Sequence, residues 1–256
     1  MTNQSDLWIR RLHPELRSGP RLVCFPHAGG SATFFQPLAR HAPSLDVVGV
    51  QYPGRQDRRA EPCLDDIAAL ADQVSAGLAP WTDRPLVFFG HSMGAVVGYE
   101  VARRFQRERT GVPIGLVASG RCAPSIQCGG DVHTRDDRGV VAEIRRLSGT
   151  AASLLDDDEI VQMILPATRA DYKAVETYRH GPGPRLTCPI TAMTGDADPR
   201  VTIDEARAWA DHTSGPFDLR KFPGGHFYLS DDWAAVGRAV TECVTAFSAG
   251  PAVATD

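Results

Sequence analysis

The sequence predicts an α/β fold in which a mostly parallel central sheet is flanked by helices. Short apolar runs alternate along the chain with stretches whose apolar residues recur at helical spacing, which is the pattern of βαβ units. The 256 residues suffice for one large α/β domain over residues 1–256. Hydrophobic residues make up 43% and charged residues 23%, so the chain has the composition of an ordinary globular protein.

The predicted strands are short apolar runs of the length usual for buried strands. They lie at 21–26, 47–52, 86–90, 114–119, 189–194 and 217–222. The first run leads into a His-Ala-Gly-Gly loop, and Pro53 with Gly54 stops the second. Helices are predicted in the intervening stretches and at the end of the chain, at 31–40, 64–78, 93–109 and 233–247.

One segment, residues 121–180, breaks the alternation because it contains no clear strand. It begins with a polar, Gly-rich stretch and continues with helical patterns at 140–147, 157–165 and 168–178. About 60 residues of helix and loop between two strands predict a lid inserted into the domain. We call residues 121–180 the lid segment.

Several classes of function are excluded by composition. The net charge of −4 gives no basis for nucleic-acid binding, and no window reaches the roughly 18 apolar residues of a membrane span. The N-terminus lacks the apolar stretch of a signal peptide. Six cysteines without a C-x-x-C pair indicate reduced thiols in a cytoplasmic protein, although Cys122 and Cys128 could form a bridge in an oxidising compartment. No metal-ligand spacing is present.

The motif G-H-S-M-G at 90–94 carries the chemistry. It matches G-x-S-x-G between a predicted strand and a predicted helix, which is the setting of the nucleophile elbow in the α/β-hydrolase fold. Such a tight turn strains the backbone at Ser92, and a side chain at Gly90 or Gly94 would collide with neighbouring backbone. The turn presents the Ser92 hydroxyl at the carboxyl end of the strand. Ser92 is therefore the predicted nucleophile.

A serine nucleophile needs a base and an acid that orients the base. His226 follows the last strand in a Gly-Gly loop and comes last in the order Ser, acid, His. Asp196 and Asp198 both follow the strand at 189–194, and Asp198, held extended by the following proline, is preferred as the acid. Asp196 is then expected to shape the turn. The adjacent His91 should point away from Ser92 and pack. Five other histidines are interpreted as surface or loop residues: His13, His41, His133, His180 and His212.

The oxyanion hole needs two backbone donors. The N–H of Met93, directly after the nucleophile, should supply one, and the loop after the first strand should supply the other. Ala28 N–H is preferred there, with His27 N–H or Gly29 N–H as alternatives. Losing one such donor costs on the order of 3 kcal/mol of transition-state stabilisation.

Five motifs together resemble the type II thioesterases of polyketide and nonribosomal-peptide pathways. They are C-F-P-H-A-G-G-S-A at 24–32, Q-Y-P-G-R at 51–55, G-H-S-M-G at 90–94, T-G-D-A-D-P at 194–199 and G-G-H-F-Y at 224–228. The likeness runs from about residue 21 to residue 247, and the family's triad falls on Ser92, Asp198 and His226.

The resemblance implies a free-standing editing enzyme. Such an enzyme hydrolyses stalled or wrong acyl groups, with a tendency towards short ones, from the phosphopantetheine arm of an acyl or peptidyl carrier protein. No cofactor is expected, since the substrate itself carries the phosphopantetheine. The helical lid would shape the acyl chamber. Four lid residues either form the core of its helices or line that chamber: Leu154, Leu155, Met163 and Leu165.

Carrier proteins of these pathways are usually acidic, so two basic clusters are candidate docking sites. One cluster is Arg55, Arg58 and Arg59. The other lies on the helix after Ser92 and comprises Arg103, Arg104, Arg107 and Arg109.

Three other readings of the sequence stay open. The triad alone would equally serve another serine hydrolase, such as an esterase or peptidase. An acyltransferase of the same fold would need an acceptor site that excludes water, and the sequence indicates none. A non-catalytic binding protein is disfavoured because Ser92, Asp198 and His226 are all in place.

Overall fold

The computed structural model of the protein describes residues 7–12, 18–147 and 155–250. Seven strands in this part of the chain form one sheet with the order β1-β3-β2-β4-β5-β6-β7. They are β1 (Ile9–Arg11), β2 (Arg21–Phe25), β3 (Asp46–Val50), β4 (Leu86–His91), β5 (Gly115–Ser119), β6 (Ile190–Gly195) and β7 (Phe217–Phe222). Only β1 pairs antiparallel; every other pairing is parallel. The predicted mostly parallel sheet is confirmed.

Helices pack on both faces of this sheet. In chain order they are α1 (Gln36–His41), α2 (Ile67–Leu78), α3 (Met93–Glu108), α4 (Asp137–Leu147), α5 (Asp158–Thr177), α6 (Ile203–Arg207), α7 (Tyr228–Asp231) and α8 (Trp233–Ala249). The side chains of β2 alternate between two cores: Val23 and Phe25 join the core under α2 and α3, while Leu22 and Cys24 join the core under α1 and α8. The strand is apolar throughout because both of its faces are covered.

Three short elements and one long helix differ from the sequence-based prediction. β1 was not predicted, because three residues are too few to show a strand period, and the short helices α6 and α7 were not predicted either. The lid patterns at 157–165 and 168–178 form a single helix, α5, that passes through Pro166. A proline inside a helix costs about 3 kcal/mol. Val161, Leu165 and Tyr172, from both sides of the proline, pack into one apolar cluster, and this burial offsets the cost.

The cysteines also differ from the prediction of six reduced thiols. Cys122 and Cys128 form a disulfide, whereas Cys24, Cys63, Cys188 and Cys243 are free. Two successive turns fold the loop back on itself, with Ile126 N–H donating to Ala123 and Cys128 N–H donating to Ile126. They bring the two Cα atoms to 6.5 Å, within bridging range.

Among the described residues, no helix is long and apolar enough to cross a membrane.

Candidate active site

The turn between β4 and α3 has the geometry of a nucleophile elbow. Ser92 has a φ of 54°, in a region that side chains rarely adopt. A Cβ atom at Gly90 would lie 2.5 Å from the backbone of Ala95, and one at Gly94 would meet the carbonyl of Phe25. Glycine is therefore required at both flanks. Ser92 N–H donates to the Ser119 carbonyl over 2.8 Å, which fastens the elbow to the neighbouring strand β5.

The structure brings the three predicted triad residues together at the carboxyl edge of the sheet. His226 Nε2 lies 3.1 Å from Ser92 Oγ, and His226 Nδ1 lies 2.9 Å from Asp198 Oδ2. The Asp198 side chain is fully buried and His226 is 4% exposed, whereas Ser92 is partly accessible. Nδ1 donating to the carboxylate leaves Nε2 as the acceptor for the serine proton, which is the tautomer that a general base requires.

The two aspartates after β6 have different contacts. Asp198 Oδ1 also accepts the backbone N–H of Arg200 over 2.8 Å, which fixes the carboxylate towards the imidazole. Asp196 is exposed, and its Oδ1 accepts the N–H of Gly224 over 3.0 Å. Asp196 thus ties the β6 turn to the loop that carries His226, in agreement with the expected shaping role.

Two further histidines pack beside the triad and stay neutral. His91 is fully buried, as predicted, and its Nδ1 lies 2.9 Å from Ser119 Oγ. Burial lowers the pKa of His91 well below its ordinary value, with smaller contributions from His226 and His27. Burial, followed by repulsion from His226 and Arg55, lowers the pKa of His27 to about 3. His226, which contacts both Ser92 Oγ and the Asp198 carboxylate, is the imidazole of this cluster that is placed to act as a base.

The loop after β2 presents backbone donors to the same site. Gly29 N–H donates to Asp171 Oδ2 over 2.8 Å and Gly30 N–H donates to the His27 carbonyl, so neither can hold an oxyanion. The alternative donor Gly29 is thereby excluded. In the described ranges, Ala28 N–H and Met93 N–H have no protein acceptor, which leaves both available to a ligand, and the same holds for the other alternative, His27 N–H.

A buried ion pair connects this oxyanion loop to the lid segment. Arg55 donates to both carboxylate oxygens of Asp171, over 2.5 and 2.9 Å, and also to the Gly30 carbonyl over 3.1 Å. Asp171 is fully buried and Arg55 is 7% exposed. Burial alone would lower the pKa of Arg55, but the Asp171 carboxylate more than offsets this and raises it. Lid helix α5 therefore helps to position the loop that carries Ala28.

The basic cluster of Arg55, Arg58 and Arg59 is consequently not a docking surface. Arg58 is only 4% exposed, donates to both oxygens of Glu61 and lies over the ring of Trp8. Two of the three cations thus hold the fold, and that prediction is wrong. The reason is that Pro53-Gly54 turns the chain inward, where the guanidinium groups bind backbone carbonyls.

The second basic cluster is divided in the same way. Arg103 and Arg104 both pair with Glu100 on the same helix. The side chain of Arg107 is 73% exposed and Arg109 lies at the exposed end of α3. Only these last two have the accessibility that a docking site needs.

A cavity of about 170 Å³ opens onto Ser92 and His226. The lid segment supplies its apolar wall, formed by Ile144, Leu147, Ile160, Ile164, Tyr172 and Val175. Of the four lid residues left open by the sequence, the three that the structure describes lie outside this wall. Leu155 and Leu165 are buried outside the cavity wall, Met163 is 59% exposed on the outer face of α5, and Leu154 falls outside the described residues.

Three histidines read as surface residues have defined partners. His212 is 4% exposed, with Nδ1 3.2 Å from Tyr99 Oη, so its prediction is wrong. His180 Nε2 lies 3.2 Å from the same hydroxyl, and His133 Nδ1 lies 2.6 Å from Glu176. His41 is exposed as expected, and His13 lies outside the described residues.

The cavity also contains functional candidates that sequence reasoning missed. Arg121 and Arg200 line it, and Asp171 lies behind the oxyanion loop. The position of Arg121, directly after the carboxyl end of β5, was a usable signal, since ligand-binding residues gather at that edge of parallel sheets. Asp171 is 142 positions from its partner Gly29, and no local pattern marks it.

The comparisons with known proteins agree on one family. The model of the thioesterase domain family matches residues 20–243. The chain is 51% identical over 240 residues to the thioesterase PikA5 of Streptomyces venezuelae, covering 93% of this chain and 85% of that protein. It is 52% identical over 246 residues to a probable cadicidin biosynthesis thioesterase of Streptomyces griseus, covering 96% and 68%.

A solved structure gives the same result. The type II thioesterase BorB from the borrelidin biosynthetic cluster superposes with a TM-score of 0.87 at 52% identity, covering 93% of this chain and 98% of that one. Together with the parallel sheet and the elbow, this match confirms the predicted α/β-hydrolase fold.

Proposed function

The chain belongs to the thioesterase domain family, and from this premise we propose that it is an editing thioesterase of the type II class. Its substrates are stalled or wrong acyl groups bound as thioesters to the phosphopantetheine arm of acyl or peptidyl carrier proteins. The observation that carries the proposal is the Ser92–His226–Asp198 alignment, at 3.1 and 2.9 Å, in the wall of an acyl-sized cavity. The related thioesterases BorB and PikA5 support the pathway context.

The reaction follows from the positions of the polar atoms. His226 Nε2 takes the Ser92 proton as Oγ attacks the thioester carbonyl, and buried Asp198 stabilises the imidazolium that forms. Met93 N–H and Ala28 N–H receive the oxyanion. His226 then protonates the departing pantetheine thiolate. A water molecule, deprotonated by the same imidazole, attacks the acyl-enzyme carbonyl, and the imidazolium returns that proton to Ser92 Oγ as the bond between the acyl group and Oγ breaks. The products are the free acid and the regenerated carrier thiol.

The cavity size favours short acyl groups. Its volume of about 170 Å³ is close to the roughly 150 Å³ of a protein cavity that accommodates benzene. The apolar wall formed by Ile144, Ile160 and Ile164 suits a hydrocarbon chain of a few carbons. A cytoplasmic location is part of the proposal and is supported by the likeness to biosynthetic thioesterases such as BorB, not by the cysteines, of which four are free and two form a disulfide.

A side-by-side assay tests the proposal against the esterase reading. The protein would be given a butyryl carrier protein and p-nitrophenyl butyrate, with Ser92→Ala as the matched inactive control. We expect a higher kcat/KM for the carrier thioester and no turnover of either substrate by the variant. Faster hydrolysis of the ester, with the carrier thioester left intact, would refute the thioesterase assignment.

A further inference from the structure

Arg121 is a cation in the wall of the catalytic cavity without a counter-ion. It follows the last residues of β5 and lines the same cavity as Ser92 and His226. Within the described ranges, its guanidinium forms no hydrogen bond and no ion pair, and its Nε is buried without an acceptor. The other cavity arginine, Arg200, is different, because it donates to Glu143 over 2.9 Å.

The carboxylates whose charges act on Arg121 already have other hydrogen-bond partners. Glu176 accepts from His133 Nδ1 and from two backbone amides, and Glu205 closes the capping box of α6. Glu143, on lid helix α4, is shared by Arg146 and Arg135 in addition to Arg200. The cavity wall therefore carries positive charge, since Arg121 and Arg200 line it and no carboxylate of the described residues does.

The electrostatics of the site agree with this count of partners. Burial lowers the pKa of Arg121 to about 10, and repulsion from Arg200 contributes to the lowering. The guanidinium nevertheless keeps its proton at neutral pH. The Nε of this half-buried side chain has no acceptor among the described residues, which is costly for a charged group, so an anion that reaches the guanidinium gains a charge-assisted interaction.

The shape of the donor group selects the kind of anion. A guanidinium presents parallel N–H groups that match the two oxygens of a carboxylate. The phosphate of the pantetheine arm belongs to the far end of the arm from the thioester, whereas this cavity holds the group attached to Ser92. The anion that fits is a carboxylate on the acyl group itself.

Resting on the proposed thioesterase function, we propose that Arg121 forms a carboxylate subsite in the acyl cavity. It receives the free carboxylate of a short dicarboxylic acyl group, of the malonyl or succinyl type, while Ile144, Ile160 and Ile164 contact the carbon chain. Arg121 is thus a specificity residue that distinguishes carboxyacyl from alkanoyl thioesters.

The test measures binding, so that it does not depend on turnover. Non-hydrolysable amide analogues of succinyl-pantetheine and butyryl-pantetheine would be titrated calorimetrically into the protein with Ser92→Ala. Adding Arg121→Met should weaken binding of the succinyl analogue by about 10- to 100-fold, the range of a lost charged hydrogen bond. Binding of the butyryl analogue should change by less than about twofold. Arg121→Lys should restore part of the loss, since it keeps the charge but not the paired donors.

Arg207→Met serves as the control, because Arg207 is 60% exposed, pairs with Asp204 and lies outside the cavity. Equal weakening of both analogues by Arg121→Met would overturn the subsite and assign Arg121 to the fold or to the pantetheine arm. Unchanged binding of both would also overturn it. Kinetics on the butyryl thioester separate the two proposals: wild-type turnover of that substrate supports the thioesterase function whatever Arg121 does.

Discussion

Replacing Asp171 by asparagine tests whether lid helix α5 holds the oxyanion loop in place. The substitution keeps the shape of the side chain but leaves Arg55, which is 7% exposed, as a buried cation without its counter-charge. Breaking a buried pair in this way costs about 3–5 kcal/mol. For a domain of this size each kcal/mol lowers Tm by about 2–4 °C, so a fall of about 6–20 °C is expected in thermal unfolding.

Catalysis should suffer in a way that stability alone does not explain. Gly29 N–H loses the charged acceptor that fixes the loop, so Ala28 N–H is no longer held towards the oxyanion. A displacement of about 1 Å at a reacting group can cost about 10²-fold. We expect kcat to fall by up to that factor, with KM little changed, in an assay run well below the Tm of the variant.

Two controls make the reasoning refutable. Asp65→Asn removes another contact between α5 and the body of the protein, to Lys173, but both side chains are about half exposed, so a loss below about 1 kcal/mol is expected. The double variant Arg55→Met with Asp171→Leu buries no charge and should regain most of the stability. Its kcat should stay low, since leucine cannot accept from Gly29. If kcat recovered together with Tm, the loop would need only a folded protein and the positioning argument would fail.

Two further predictions concern the acid of the triad and the buried histidines. Asp198→Asn should lower kcat by about 10⁴-fold, because it removes the carboxylate that orients His226. Asp196→Asn weakens only a turn contact, so its kcat should stay within about tenfold of the wild-type value. Similar losses of kcat for the two variants in steady-state kinetics would contradict the assignment of Asp198 as the acid. Burial lowers the pKa of His27 to about 3 and that of His212 to about 4. Below about pH 6.5 these two histidines therefore bind protons in the unfolded chain but not in the folded chain. The free energy of unfolding should therefore fall as the pH is lowered from 6.5 to 4, by up to about 1.4 kcal/mol per pH unit for each histidine. In urea unfolding, His212→Gln should make this dependence on pH less steep. An unchanged pH dependence in that variant would contradict the lowered pKa of His212.

The proximity of the three proposed catalytic residues could be predicted because each of them lies in a local sequence pattern that has a physical reason. The elbow needs glycine on both sides of Ser92, and the structure shows the backbone that side chains at Gly90 and Gly94 would strike. Asp198 and His226 follow consecutive parallel strands, β6 and β7, whose carboxyl ends meet at one edge. Chain order and strand ends were therefore enough to bring them together.

The features that sequence reasoning missed depend on long-range packing. An arginine such as Arg55 is expected at the surface from its residue type. It lies in the interior because it pairs with Asp171, which is 116 positions away in the sequence. Pro166 interrupts a helical pattern in the sequence, but α5 continues through it because packing of its side chains in the apolar cluster stabilises the continuous helix. No local period carries either kind of information, so both needed coordinates.

The most direct test of the central claim is intact-mass analysis of carrier proteins loaded with a panel of acyl-phosphopantetheine groups. Each would be incubated with the protein and, in parallel, with its Ser92→Ala variant. Our account predicts that the protein removes short acyl groups, shifting the carrier to the mass of its free-thiol form, and that the variant removes none. Acyl groups that remain on the carriers as completely with the protein as with the variant would contradict it.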